Sequence, residues 1–280
     1  MSTTHSGWEL PISEGQLARL TRDMEEAHRS TLPDMRAGAV DLAEEIRTGR
    51  PAAEDRPHDP ARRRFLLGAG GLAAAFALAA CAGKDENTSA ASTKGVGGSS
   101  PSTSTSASAS AGTYTGDLKV VALATALENQ AVGAYRATLA AAKAGKLGTV
   151  PPAVATFVTT AMSQHADHAK AWNAVLVGAG KPAIRNVPLS NQAAVTAALG
   201  KATTVGAVAK LALQLEDQAA QTYLFATYNV SSQAGIETAA TIAPVEAMHA
   251  AILHFILGQY PVPDDFLPTD KAASPALLTV

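Results

Sequence analysis

One short signature occurs twice in this chain, and that repeat limits the possible folds most. Leu127-Glu128-Asn129-Gln130-Ala131, with Tyr135 after it, returns as Leu215-Glu216-Asp217-Gln218-Ala219, with Tyr223 after it. The Glu-to-Tyr interval is about two helical turns, so each pair lies on one helix face. Each copy sits in a long helical pattern, and each is followed by another. The four patterns run over 116–144, 152–178, 204–228 and 231–258. Gly145 and Gly148 stop the first, Pro151-Pro152 starts the second, and Gly180 and Pro182 end it. Ser190 caps a short helix that reaches Gly200, and Ser231 or Ser232 caps the last long one. Pro261, Pro263 and Pro268 make the tail extended. No alternating strand pattern appears. The expectation is an all-α four-helix bundle over 113–280, built from two repeated helical hairpins. Hydrophobic residues make up 47% of the chain and aromatics only 5%. The core is therefore mostly Ala, Val and Leu, which lets helices approach closely.

The second helix of each hairpin carries a pair of metal-ligating side chains three residues apart: His165 and His168, then Glu246 and His249. Residues at i and i+3 share a helix face, so each pair can reach one point in the core. Glu128 and Glu216 stand mid-helix in apolar stretches. A lone buried carboxylate is costly unless it is paired or bound to a cation. Six such groups converging on one level ask for compensation, and divalent cations supply it. Asp167 lies about 100° round the helix from His168 and should point elsewhere. His254 is offset from the pair and reads as packing or surface, while Trp172 and Phe255 read as core. Gln130 and Gln218 read as marks of common ancestry between the halves.

A Glu on each of two helices, with Glu-x-x-His on the other two, resembles the ferritin-like di-iron carboxylate proteins. Glu128, Glu216, Glu246, His249 and His168 match that pattern; His165 departs from it, standing where the family has Glu. The resemblance implies two iron ions as cofactor, with zinc, manganese or copper as alternatives, and an oxidase-type activity on oxygen, peroxide or ferrous ion. The departure leaves three carboxylates against three imidazoles, so two divalent ions would leave about one excess positive charge. That tilts the site towards one ion or an imidazole-friendly metal. Tyr135 and Tyr223 would back the ligands or simply pack. The competing reading is a metal-free helical scaffold or interaction module. Neither a Gly-rich phosphate loop nor a Ser/His/Asp arrangement is present in the sequence. The net charge of −2, without a basic stripe outside one Arg cluster, argues against nucleic acid as a partner.

That cluster opens a second resemblance. Arg62-Arg63-Arg64-Phe65-Leu66, an apolar run over 68–80 and Leu78-Ala79-Ala80-Cys81 look like a twin-arginine signal ending in a lipoprotein cleavage box. The resemblance implies passage through the twin-arginine translocase and lipidation of Cys81, the only cysteine. The downstream domain would then lie outside the cytoplasm, anchored to the membrane. A plain transmembrane anchor is the alternative and leaves it on the same side. Such export carries folded proteins, which fits a metal protein loaded beforehand. Lipid anchoring disfavours a closed iron-storage shell; a homodimer is a candidate assembly. Residues 61–81 are thus signal, and 82–112, dominated by Ser, Thr, Ala and Gly, read as a flexible tether. Residues 1–60 read as a disordered extension or a start assigned too early, with Met24 or Met35 as the true one. A regulatory tail holding a short amphipathic helix over Glu14–Ser30 is the other reading.

Overall fold

The computed structural model describes residues 9–49, 113–262 and 268–280. The signal, Cys81 and the tether lie outside the described residues. Six α-helices are described: α1 Glu14–Thr48, α2 Asp117–Lys143, α3 Pro152–Gly178, α4 Gln192–Lys201, α5 Val205–Asn229 and α6 Gln233–Ile256. A 3₁₀ turn, Pro275–Leu277, follows. No strand ladder occurs among the described residues, beyond one isolated bridge between Leu189 and Leu278. The all-α bundle of two hairpins is therefore as expected.

Local chemistry sets the helix ends. Thr204 caps α5 by accepting from the Ala207 amide, and Ser232 caps α6 by accepting from Gly235. Gly180 follows α3 with φ of 72°, a conformation only glycine adopts cheaply. Asp117 at the start of α2 accepts from the Ser231 and Ser232 amides, which ties the entry of α6 to the first hairpin. Within the hairpins α2 packs on α3 and α5 on α6; between them, α2 and α5 pack less closely. The apolar window of α6 is long enough to cross a membrane, yet 56% of it is buried in the bundle.

The difference from expectation lies at the amino terminus. Residues 14–48 form one 35-residue helix rather than disorder or a short helix ending at Ser30. It packs along α3 and α6 and closes the flank between them. Leu17, Thr21, Met24 and His28, and after a seven-residue step Met35, Gly38 and Leu42, are buried at spacings of three and four, as in the seam of a coiled coil. Met24 and Met35, the candidate alternative starts, are core residues of this seam. A Cβ on Gly38 would stand 2.5 Å from Thr238 Oγ1, and one on Gly178 would stand 2.7 Å from Ala43 Cβ. Glycine at these two points allows the close approach of α1 to both neighbours. Glu14 accepts from the Ala153 amide at 3.1 Å, capping α3 from outside. The hydroxyl of Ser232 donates to Glu45.

Candidate metal centre

The repeat places four helices so that their polar residues meet at mid-height. Glu128 from α2, His165 and His168 from α3, Glu216 from α5, and Glu246 and His249 from α6 are all at most 2% exposed. They fall into two groups whose ligand atoms lie within 4.8 Å of one another. One holds Glu128, His165, His168 and Glu246; the other holds His165, Glu216, Glu246 and His249. His165 and Glu246 belong to both. The structure thus brings together all six residues singled out in the sequence.

The bonds cross between hairpins. His165 spans the site, with Nδ1 at 2.7 Å from Glu128 Oε2 and Nε2 at 3.1 Å from Glu216 Oε1. His249 Nδ1 faces Glu216 and Glu246 at 3.3 and 3.2 Å. Its Nε2 lies 2.7 Å from Gln164 Oε1. The Tyr135 hydroxyl donates to Glu216, and that of Tyr223 donates to Glu128. Each tyrosine therefore backs the carboxylate of the other half. Tyr223 also accepts from Trp172 Nε1 at 2.8 Å. His168 Nδ1 and Glu246 Oε1 stand 2.8 Å apart, yet both are buried without a well-formed hydrogen bond. Two buried donor atoms aimed at common space but poorly satisfied by each other suit a shared cation.

Electrostatics follow from burial. Desolvation alone would raise Glu128, but His168 and His165 outweigh it and hold its carboxyl at about 2. Desolvation would lower His168, but Glu128 and Glu246 carry it up to about 9. His165 and His249 are raised by their carboxylates against the same desolvation, and Glu216 is held well below its usual range by His165 and His249. Burial and the neighbouring carboxylates push both tyrosines well above their ordinary value, so they stay protonated donors. Without metal, the cluster thus favours ionised Glu128 and Glu216 beside protonated His165, His168 and His249. Metal would displace the imidazolium protons, so affinity falls as pH falls.

The surroundings were less legible in the sequence. Asp167 points outward to Arg36 on α1 at 3.6 Å. His254 is buried and bonds Gln259 at 2.8 Å, Trp172 is core and Phe255 is half-buried. Gln130 donates to Asn191 and Gln192, so it anchors the inter-hairpin connection. A narrow cleft on the loosely packed α2/α5 flank, lined by Ala131, Leu215, Gln218 and Ala219, reaches Glu128 and His165. An apolar pocket lined by Phe157, Val158, Ala209 and Leu253 reaches Tyr135. Sequence reasoning missed Gln164 and, on α1, Glu25 and His28. The available signal was a second Glu-x-x-His beside Glu246-x-x-His249, namely Glu25-Glu26-Ala27-His28.

No curated protein and no solved structure matches the chain. A family model described as a ferritin-like domain matches residues 116–259, which contain all six clustered residues and exclude α1. With just over half of its length covered by that match, the chain belongs to the ferritin-like domain family.

Proposed function

We propose that this chain is an exported ferritin-like protein, tethered by lipid at Cys81, whose buried Glu/His cluster binds one or two transition-metal ions for redox or metal-handling work. The observation that carries the metal reading is the pair of four-residue ligand groups sharing His165 and Glu246 in the bundle core. Glu128, Glu216 and Glu246 would neutralise the ions, and His165, His168 and His249 would complete their coordination. Tyr135 and Tyr223 hold Glu216 and Glu128 in place by hydrogen bonds. The α2/α5 cleft lies against Glu128 and His165, and the apolar pocket beside Tyr135 suits a small apolar oxidant. A bound redox-active ion would supply one-electron exchange with oxygen or peroxide. Iron fits the family, while the three imidazoles favour a single ion or zinc or copper over a second iron.

The Arg62 to Cys81 order supports export and anchoring. Its test is palmitate labelling, which Cys81→Ala should abolish; labelling that survives the substitution would remove the anchor. Ferrous-dependent oxygen uptake by the full chain tests the redox reading. Uptake no faster than that of a Glu128→Ala/Glu246→Ala variant would refute it. A metal-free scaffold is the second reading. It is favoured by one observation: three Glu and three His side chains pair with one another in the core, so they can offset each other without an ion.

A further inference from the structure

The centre has a component outside the family match. Glu25 on α1 accepts from Gln164 Nε2 at 2.8 Å, and Arg29 Nε donates to its other oxygen at 2.6 Å. A carboxylate can only accept, so Gln164 must turn its NH₂ towards Glu25 and its carbonyl towards α6. That carbonyl lies 2.7 Å from His249 Nε2 and can itself only accept. The proton on Nε2 is therefore obligatory, and Nδ1 is left as the nitrogen facing Glu216 and Glu246. Gln164 is 1% exposed, so water is a poor substitute partner. One turn along α1, the His28 ring sits edge-on to His168 with centroids 5.2 Å apart. The Glu25-x-x-His28 face of α1 thus abuts both the Gln164–His249 pair and His168.

We propose that Glu25 is a positioning residue of the metal centre: through Gln164 it fixes the tautomer of His249 and presents Nδ1 to the ion. Orienting partners of this kind contribute about 10–100-fold to metal affinity. The inference rests on the metal reading above. It also gives α1 a moment of action. On the export reading, α1 precedes the cut before Cys81 and would serve the centre while the folded chain is loaded ahead of export.

The test is a zinc titration of the full chain against a chromophoric chelator. Glu25→Gln, Gln164→Leu, the double variant and Glu26→Gln, an exposed control on the same turn, are compared with wild type. The expected result is a 10–100-fold weaker affinity for each of the first two, a double variant no weaker than Gln164→Leu, and an unchanged control. Nitrogen-15 spectra of the zinc-loaded chain should show His249 with its proton on Nε2 in wild type and a tautomer mixture in Glu25→Gln. Wild-type affinity and a single tautomer in Glu25→Gln, or losses that add in the double variant, would overturn the proposal. Glu25→Gln carries the test alone if Gln164→Leu does not fold. Failure of wild type itself to bind zinc or ferrous iron would overturn the metal reading and this one together. Binding that ignores Glu25 overturns this one only.

Discussion

The two hairpins are one device in two copies, differing at a single decisive position. Both pair a mid-helix Glu with a Tyr seven residues later, and both send that Tyr to the other hairpin's Glu. Both end the facing helix's pair in a histidine, His168 or His249. The first position of the pair is His165 in one and Glu246 in the other, and these are the two residues shared by both ligand groups. The scaffold is thus symmetric while the charge is not. With Glu at both positions four carboxyls would face two imidazoles, an excess that cations or added protons must offset. With His165 it can balance itself, which lets the bundle fold empty and makes metal compete with protons.

The strongest way to break the comparison is to unpair one half. Glu216→Ala would leave His165 and His249 facing one fewer carboxylate, at about 3–5 kcal/mol of unfolding free energy in urea. Glu128→Ala should cost a similar amount through His165 and His168; a tolerated loss in either half would show that the halves are not equivalent. His165→Glu sharpens the comparison by restoring symmetry. It should add about one divalent ion per chain by calorimetric titration at neutral pH, since four carboxylates balance two such ions. An unchanged stoichiometry would mean that charge does not limit the second ion.

A third effect is graded with pH in the presence of chelator. His168 is raised to about 9, so its contribution is full below its unfolded value of 6.5 and fades as pH rises through 9. Glu128 is held at about 2, so its contribution is full above 4.5 and is lost as pH falls through 2. Burial lowers His28 to about 4, so α1 docking weakens as pH drops from 6.5 through 4. Metal-free stability should therefore be greatest near pH 6.5 and decline towards both extremes; thermal melts across pH check this. The smallest effect is that of the tyrosines. Tyr223→Phe leaves Glu128 Oε1 without its hydrogen-bond donor, whereas Tyr135→Phe leaves Glu216 Oε1 with His165 Nε2, so the losses should be about 1–3 kcal/mol and about 1 kcal/mol. Tyr223→Phe should cost more because it also strands Trp172 Nε1.

The hairpins were legible because their signals are local. Pro151-Pro152, Gly180, Thr204 and Ser232 mark ends by backbone chemistry, and i,i+3 spacing puts ligands on one face. The convergence of six side chains followed from the repeat. The crossed tyrosine bonds did not, because they depend on which hairpin each phenol reaches. Helix α1 was hidden for a different reason. Its buried stripe includes Thr21, His28 and Gly38, Pro33 lies inside it, and the rest of the helix is mostly charged and polar, so the segment reads as solvated although its apolar residues share one face. Its strongest clue was the capping box of Ser13 and Gln16, together with Glu25-x-x-His28.

The most direct measurement is metal content by mass spectrometry on the full chain, as purified and after anaerobic ferrous reconstitution, beside Glu128→Ala/Glu246→Ala. A metal centre predicts at least one transition-metal ion per chain in wild type, lost in the variant. Metal no higher in wild type than in the variant would contradict it and leave the balanced carboxylate–imidazolium cluster as a structural core.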